Sequence, residues 1–272
     1  MRRGWRPAVL AGLVMLAALA GCTRRDVLTG RLRSMADDHA RCVVADSVWA
    51  CGNIYRWADH RTLRLNVTRT DHRPGAETAG DEVWLLDLAG GRVRIEKPAA
   101  RQTIVYDGLS WRVFAEGKAS ADLELRAAAA GDVAVARALA PLPFSLLAPG
   151  LKMMYVGTRT GPGEARVWDR LMVAYEPGAG YEPGSRTLVE FNKATHRVEA
   201  AFISWAEAPF LGGCYRVDMD EWWTVADLAL AHRWRFVPVS EAGAPTGAVR
   251  YTFQVRSAAF DVPTGSATFS SP

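Results

Sequence analysis

Val249-Arg250-Tyr251-Thr252-Phe253-Gln254-Val255-Arg256 alternates apolar and polar residues at every step. A period of two puts Val249, Tyr251, Phe253 and Val255 on one face of a pleated strand and the polar residues on the other. One face packed and one face wet is the signature of an antiparallel sheet. The same reading extends backwards along the chain. Ala231 to Val237 and Tyr215 to Asp220 are strands, and Thr187 to Phe191 turns at Asn192-Lys193-Ala194-Thr195 into Arg197 to Trp205. In Val167 to Tyr175, Val167, Asp169, Leu171, Val173 and Tyr175 share one face. Nearer the amino end, Leu63, Leu65 and Val67 alternate with Arg64, Asn66 and Thr68. Val83 to Leu86 and Val93 to Ile95 form a hairpin around Ala89-Gly90-Gly91, and Thr103 to Tyr106 forms another with Trp111 to Phe114 around Asp107-Gly108.

Two stretches break this period. Ser34 to Ala50 reads as a helix with Asp37 and Asp38 in its electropositive first turn, ended by Gly52-Asn53, with a further turn over Ile54 to Trp57. Ala119 to Ala140 is helical by its alanine content, interrupted at Gly131 and stopped by Pro141 and Pro143. The expected fold class is therefore α+β, a single large curved antiparallel sheet lidded by helices. A sheet of about ten strands curls, and its concave face must be filled. Alanines bring little volume to that task, so a cavity between sheet and helices is expected.

Residues 1–22 resemble a bacterial lipoprotein signal peptide. Arg2, Arg3 and Arg6 precede the uncharged run Ala8 to Ala20, and Leu19-Ala20-Gly21-Cys22 matches a lipobox. Thirteen helical residues reach only about 20 Å, short of a hydrocarbon core of about 30 Å. The alternatives are an ordinary secreted protein and a spanning anchor. The expected organisation is a signal peptide over 1–21, a polar lipidated tether over 22–33 with diacylglycerol on Cys22, and a β-rich domain over 34–272. Thr23 after the cysteine favours the outer membrane. The formal net charge of +4 includes the three leader arginines, which leaves the remaining chain near neutral and speaks against nucleic-acid binding. Cys42 and Cys51 either pair in an oxidising periplasm or stay as two buried thiols.

The order of elements resembles the LolA/LolB-like superfamily of lipoprotein-localisation factors. Four stretches carry it: Val105-Tyr106-Asp107-Gly108 with Trp111; Leu142-Pro143-Phe144 to Pro149-Gly150 before Tyr155-Val156-Gly157; Leu188 to Thr195; and Phe260-Asp261-Val262-Pro263 with Phe269 and Pro272. The resemblance implies an unclosed β-barrel lidded by helices, an apolar cavity that takes acyl chains of a lipid or lipoprotein, and neither cofactor nor catalysis. Ala226-Asp227 and Ala231-His232 depart from the family's glycine and proline at a late strand entry, and its gating arginine matches no particular residue here. Trp84, Trp111, Val113, Leu171, Val173, Phe191, Tyr251 and Phe253 are the candidates to line the cavity; for the tryptophans among them, plain core filling is the other reading. Phe210 and Leu211, in Ala208-Pro209-Phe210-Leu211-Gly212-Gly213, are candidates for a loop that meets a membrane or partner, or else cap the core.

Signatures of catalysis are missing. His39, His60, His72, His196 and His232 are scattered, no Gly-x-Ser-x-Gly occurs, and Gly157 to Gly163 lacks the Gly-Lys-Ser/Thr of a phosphate loop. Asp218 and Asp220 alternate with Val217 and Met219 as a solvated strand face, Cys214 lacks a recognisable activating partner apart from Arg216, and the repeated Tyr-Glu-Pro-Gly at 175–178 and 181–184 reads as a stiffened connection. The expectation is an outer-membrane-anchored lipoprotein that binds an apolar ligand. The alternative is a non-enzymatic scaffolding lipoprotein with a filled core that docks an envelope protein.

Overall fold

The computed structural model describes residues 23–75, 78–161, 166–176, 185–204, 213–265 and 267–271. Cys22 and the leader, most of the Tyr-Glu-Pro-Gly repeat, and Phe210 and Leu211 lie outside the described residues. Four helices are named here α1 (Arg24–Arg33), α2 (Asp38–Ala50), α3 (Ile54–Asp59) and α4 (Leu123–Ala138). The strands are β1 (Thr62–Asp71), β2 (Thr78–Asp87), β3 (Val93–Lys97), β4 (Gln102–Tyr106), β5 (Trp111–Ala115), β6 (Lys118–Ala119), β7 (Leu151–Thr160), β8 (Val167–Tyr175), β9 (Arg186–Asn192), β10 (Val198–Ser204), β11 (Cys214–Val225), β12 (Leu228–Val239) and β13 (Tyr251–Phe260).

All thirteen strands form one antiparallel sheet in the order β6-β5-β4-β3-β2-β1-β13-β12-β11-β10-β9-β8-β7. Every neighbour is a sequence neighbour except one pair: the last strand returns to lie between β1 and β12. The alternation of the 249–256 stretch holds there, with Tyr251, Phe253 and Val255 buried while Thr252, Gln254 and Arg256 face outward. β6 and β7 are the two sheet edges, and the chain between them carries α4. The sheet is curved and unclosed, as expected. The β7 edge is not left bare: Asp37 caps α2 through the Ala40 amide (3.0 Å) and also accepts the edge amide of Tyr155 (2.8 Å).

Three expectations are corrected. The segment read as a polar tether is helix α1. Its stability does not come from an apolar stripe, since only Leu28 is buried. It comes from a capping box, in which the Thr23 amide donates to Asp26 (2.9 Å) and the Asp26 amide to the Thr23 hydroxyl (3.3 Å). The interruption at Gly131 does not occur: α4 runs through it, with Gly131 and Asp132 both buried. Cys42 and Cys51 are free thiols, one exposed and one buried. They lie nine positions apart along α2 and its C-cap, which at 1.5 Å per residue is about 13 Å, beyond the roughly 7 Å a disulfide spans.

The widest part of the concave face is filled by rings. Trp84 stacks on Trp234 (centroids 5.8 Å apart) and meets Phe253 edge-on (5.7 Å), and Phe253 in turn packs on Phe236 (5.2 Å). Beside them sits a buried ionic cluster that ties α4 to the sheet. Asp132, 2% exposed, accepts Arg69 of β1 (2.9 Å) and Lys97 of β3. Glu82 of β2 lies 4.0 Å from both cations and takes the Trp84 indole N–H (2.7 Å). Burial raises the Glu82 pKa above the ordinary carboxylate value, and Lys97 and Arg69 oppose it.

Asp132→Ala leaves two buried cations without their shared carboxylate, and urea unfolding is expected to show a loss of about 3–5 kcal/mol; a loss below about 1 kcal/mol would contradict a structural role for the cluster. His232 gives a second prediction. It is 1% exposed, and burial pushes its pKa from 6.5 down to about 4, against the Val255 backbone and Glu221. A depressed imidazole favours the fold fully above pH 6.5, and that contribution is lost as pH falls from 6.5 towards about 4. His232→Phe is expected to flatten the pH dependence of stability in that window, whereas an unchanged slope would show that His232 does not titrate this way.

Candidate functional site

The helices do not fill the barrel to its end. Beyond the ring cluster is a cavity of about 470 Å³. Its walls are Arg24, Leu28 and Arg31 of α1, Trp57 of α3, the β2–β3 turn from Leu86 to Val93, and Tyr106 and Gly108 of the next hairpin. Opposite lie the end of α4 (Arg137, Ala138, Leu139), residues Pro141 to Leu151, Val173 and Tyr175 of β8, and Thr187 and Val189 of β9.

Local sequence explains the opening. The two hairpin turns that reach it use Gly91 (φ 66°) and Gly108 (φ 104°), left-handed positions that favour glycine and bring no side chain. Ala89, Gly90 and Ala138 add little more volume. Around them stand large apolar groups: Leu86, Trp57, Phe144, Leu146 and Leu147 are all buried, with Trp57 stacked on Phe144 at 4.5 Å. α1 becomes a wall because residues at positions 24, 28 and 31 share one helical face.

The polar groups of the wall are largely occupied by one another. The Tyr175 and Thr187 hydroxyls bond at 2.8 Å, and the Tyr106 hydroxyl donates to the Gly108 carbonyl at 2.8 Å. Arg24 donates to the carbonyls of Trp57 (3.2 Å), His60 and Leu88 (3.0 Å). Arg31 donates to the Leu147 carbonyl (3.0 Å), and Arg92 pairs with Asp87 (2.6 Å). Burial lowers the pKa of both Arg24 and Arg31, yet a guanidinium stays protonated. The Arg137 guanidinium lies 4.6 Å over the Tyr106 ring. What the cavity offers is apolar surface with a cationic fringe: four arginines and one aspartate are the charged residues of its lining. Among the described residues no histidine or cysteine lines it, and the one acid, Asp87, is held by Arg92. An apolar wall whose charges are already engaged suits sequestration of an apolar chain.

Of the eight candidate lining residues, Val173 lines this cavity. Trp84, Val113, Leu171, Phe191, Tyr251 and Phe253 are buried in the packed core, and Trp111 is half-buried against it. They lie on the inner face of the sheet, as their alternation requires, but at levels where other side chains already meet them. The residues that form the cavity come mainly from α1 and the aperiodic stretches 86–93 and 141–151, which carry no strand period to single them out. Asp220, on the strand face read as solvated, accepts Arg233 (2.6 Å) and Arg235 (3.1 Å). Among the described residues no helix is long and apolar enough to cross a membrane.

No family model matches the sequence, and no curated protein sequence does. Solved structures do. A DUF1329 family protein from Desulfovibrio piger is 11% identical with a TM-score of 0.54, over 85% of this chain and 96% of that one. A LolA superfamily protein from Nitrosomonas europaea is also 11% identical, with a TM-score of 0.51 over 82% of this chain and 94% of that one. At such identity the likeness speaks to architecture alone. The chain has a LolA-like fold.

Proposed function

We propose that this protein is a lipid-anchored component of the bacterial envelope that holds acyl chains, of a lipid or lipoprotein, in the cavity between α1, the 141–151 segment and the sheet. The observation that carries the reading is the cavity itself. Its volume of about 470 Å³ lies within the roughly 300–1,000 Å³ usual for small-molecule sites, and its wall is apolar. A filled interior, as a purely scaffolding lipoprotein would have, leaves no such space. The arginine fringe suits an anionic head at the end of the apolar chain. The LolA-like fold and the lipobox residues Leu19 to Cys22 support an envelope location. Diacylglycerol on Cys22 would hold the protein at the periplasmic side of the outer membrane, with Thr23 in the position that favours that membrane. A tethered binder of this kind receives or stores its ligand instead of ferrying it, and no cofactor enters the function.

Ala138 faces the cavity from the end of α4, so Ala138→Trp should occupy the space an acyl chain would use. Binding of a fluorescent fatty acid is expected to weaken by about tenfold or more, equivalent to ~1.4 kcal/mol, with the melting temperature little changed. Equal binding by the folded variant would remove the cavity as the site. Labelling cells with radioactive palmitate checks the anchor: incorporation by the wild type and none by Cys22→Ala is the expected result, and equal labelling would place the lipid elsewhere.

A further inference from the structure

α3 sends Trp57 into the cavity and Tyr55 to solvent. Tyr55 is 45% exposed and Trp49, at the end of α2, is 56% exposed; their rings meet edge-on at 6.3 Å. Two large rings in water at a surface corner stabilise the fold little. They are nonetheless held firmly. Asn53 accepts the amides of Tyr55 and Arg56 (3.0 Å each), and Gly52 takes φ 108°, where a Cβ would come within 2.1 Å of the Asp227 carbonyl oxygen. The Cys51 carbonyl accepts the Ala229 amide at 3.0 Å, which fastens the corner to the β11–β12 turn.

The corner also touches the start of α1. The Arg25 guanidinium lies 5.9 Å over the Tyr55 ring and binds Asp59 at 2.6 Å. Because Thr23 is the N-cap and α1 begins at Arg24, a single residue separates Cys22 from the helix. Arg25 is three residues from Cys22, a reach of at most about 11 Å even for extended chain.

We propose that the Trp49–Tyr55 corner sits in the headgroup layer of the phospholipid bilayer that carries the Cys22 acyl chains. The proposal rests on the anchoring reading given above. A helix that starts this close to Cys22 leaves little chain with which the domain could stand away from the bilayer, and Tyr55 is brought to that start by Arg25. Tryptophan and tyrosine are the side chains that favour the membrane–water interface, where an apolar ring and a polar tip are both accommodated. The two arginines of the corner are paired, Arg25 with Asp59 and Arg56 with Asp227 (3.8 Å), so a zwitterionic surface is the matching partner and attraction of its cations to anionic lipid is weak. Docking here would also hold α1 and Trp57, two walls of the cavity, next to the lipid from which a ligand is drawn.

The test uses the full-length lipoprotein purified from membranes, as wild type and Trp49→Phe, reconstituted into phosphatidylcholine vesicles with or without bromine on the acyl chains. Mass spectrometry of the Cys22 peptide establishes acylation in the same preparation. The expected result is an emission component, absent from Trp49→Phe, that brominated lipid quenches and that aqueous iodide reaches several-fold less than in detergent-free protein released by proteolysis near Cys22. High salt should not reverse it. An acylated protein whose Trp49 stays open to iodide and untouched by brominated lipid overturns the docking alone. A Cys22 without acyl mass overturns the anchoring reading and the docking with it. Shielding of Trp49 in native envelope fragments but not in vesicles would assign the corner to a protein and equally overturn the proposal.

Discussion

An alanine-rich helix has little side-chain volume with which to grip a sheet, and α4 lies in the connection between the two edge strands and packs on β2 to β5. What holds it is Asp132, the buried acid that meets Arg69 from β1 and Lys97 from β3. These ion pairs set how close α4 approaches the sheet. An apolar helix of larger residues would settle wherever its volume was best accommodated. A helix held by a carboxylate between two cations has its position set by those contacts, whether or not the rest of the interior is filled. Removing charges from water is costly, so a buried cluster of this kind is poor evidence for added stability and better evidence for a fixed geometry.

The interior divides into a packed level and an open one. Under the middle strands, Trp84, Trp234, Phe236 and Phe253 meet ring to ring and leave no use for a ligand. At the open level the sheet contributes glycine-bearing turns, α4 contributes Ala138, and the rest of the wall is α1 and the 141–151 segment. α1 is held there by two arginines that donate to backbone carbonyls of its neighbours. A helix secured mainly by its own polar side chains and one buried leucine is a wall without a core of its own. Its start is also the part of the domain next to the residue that would carry the lipid.

Much of this was legible in the residues. The alternation at 249–256, the hairpins around Gly90-Gly91 and Asp107-Gly108, and Asp37 at the head of α2 all correspond to observed elements, because strand period, turn glycines and helix caps are local effects. The return of β13 to lie between β1 and β12 is a pairing of distant segments, and no local pattern announces it. Thr23-Arg24-Arg25-Asp26 has the polarity of solvated chain, and that polarity hides the capping box that starts α1. Asp132 within alanines resembles an exposed helical charge until its partners are known. The candidate site was half visible: alternation tells which face a residue occupies but not its depth along the sheet, so six of the eight candidates lie in the core, Trp111 packs half-buried against it, and Val173 lines the cavity.

The central claim is that an acyl chain lies against the open level of the interior. Isotope-filtered nuclear Overhauser contacts from ¹³C-labelled palmitate to the protein's methyl groups test it most directly. Contacts from the chain to Leu146, Leu147, Val173 and Val189 are the predicted result; a palmitate that binds without touching these methyls, or touches only surface groups, would contradict it.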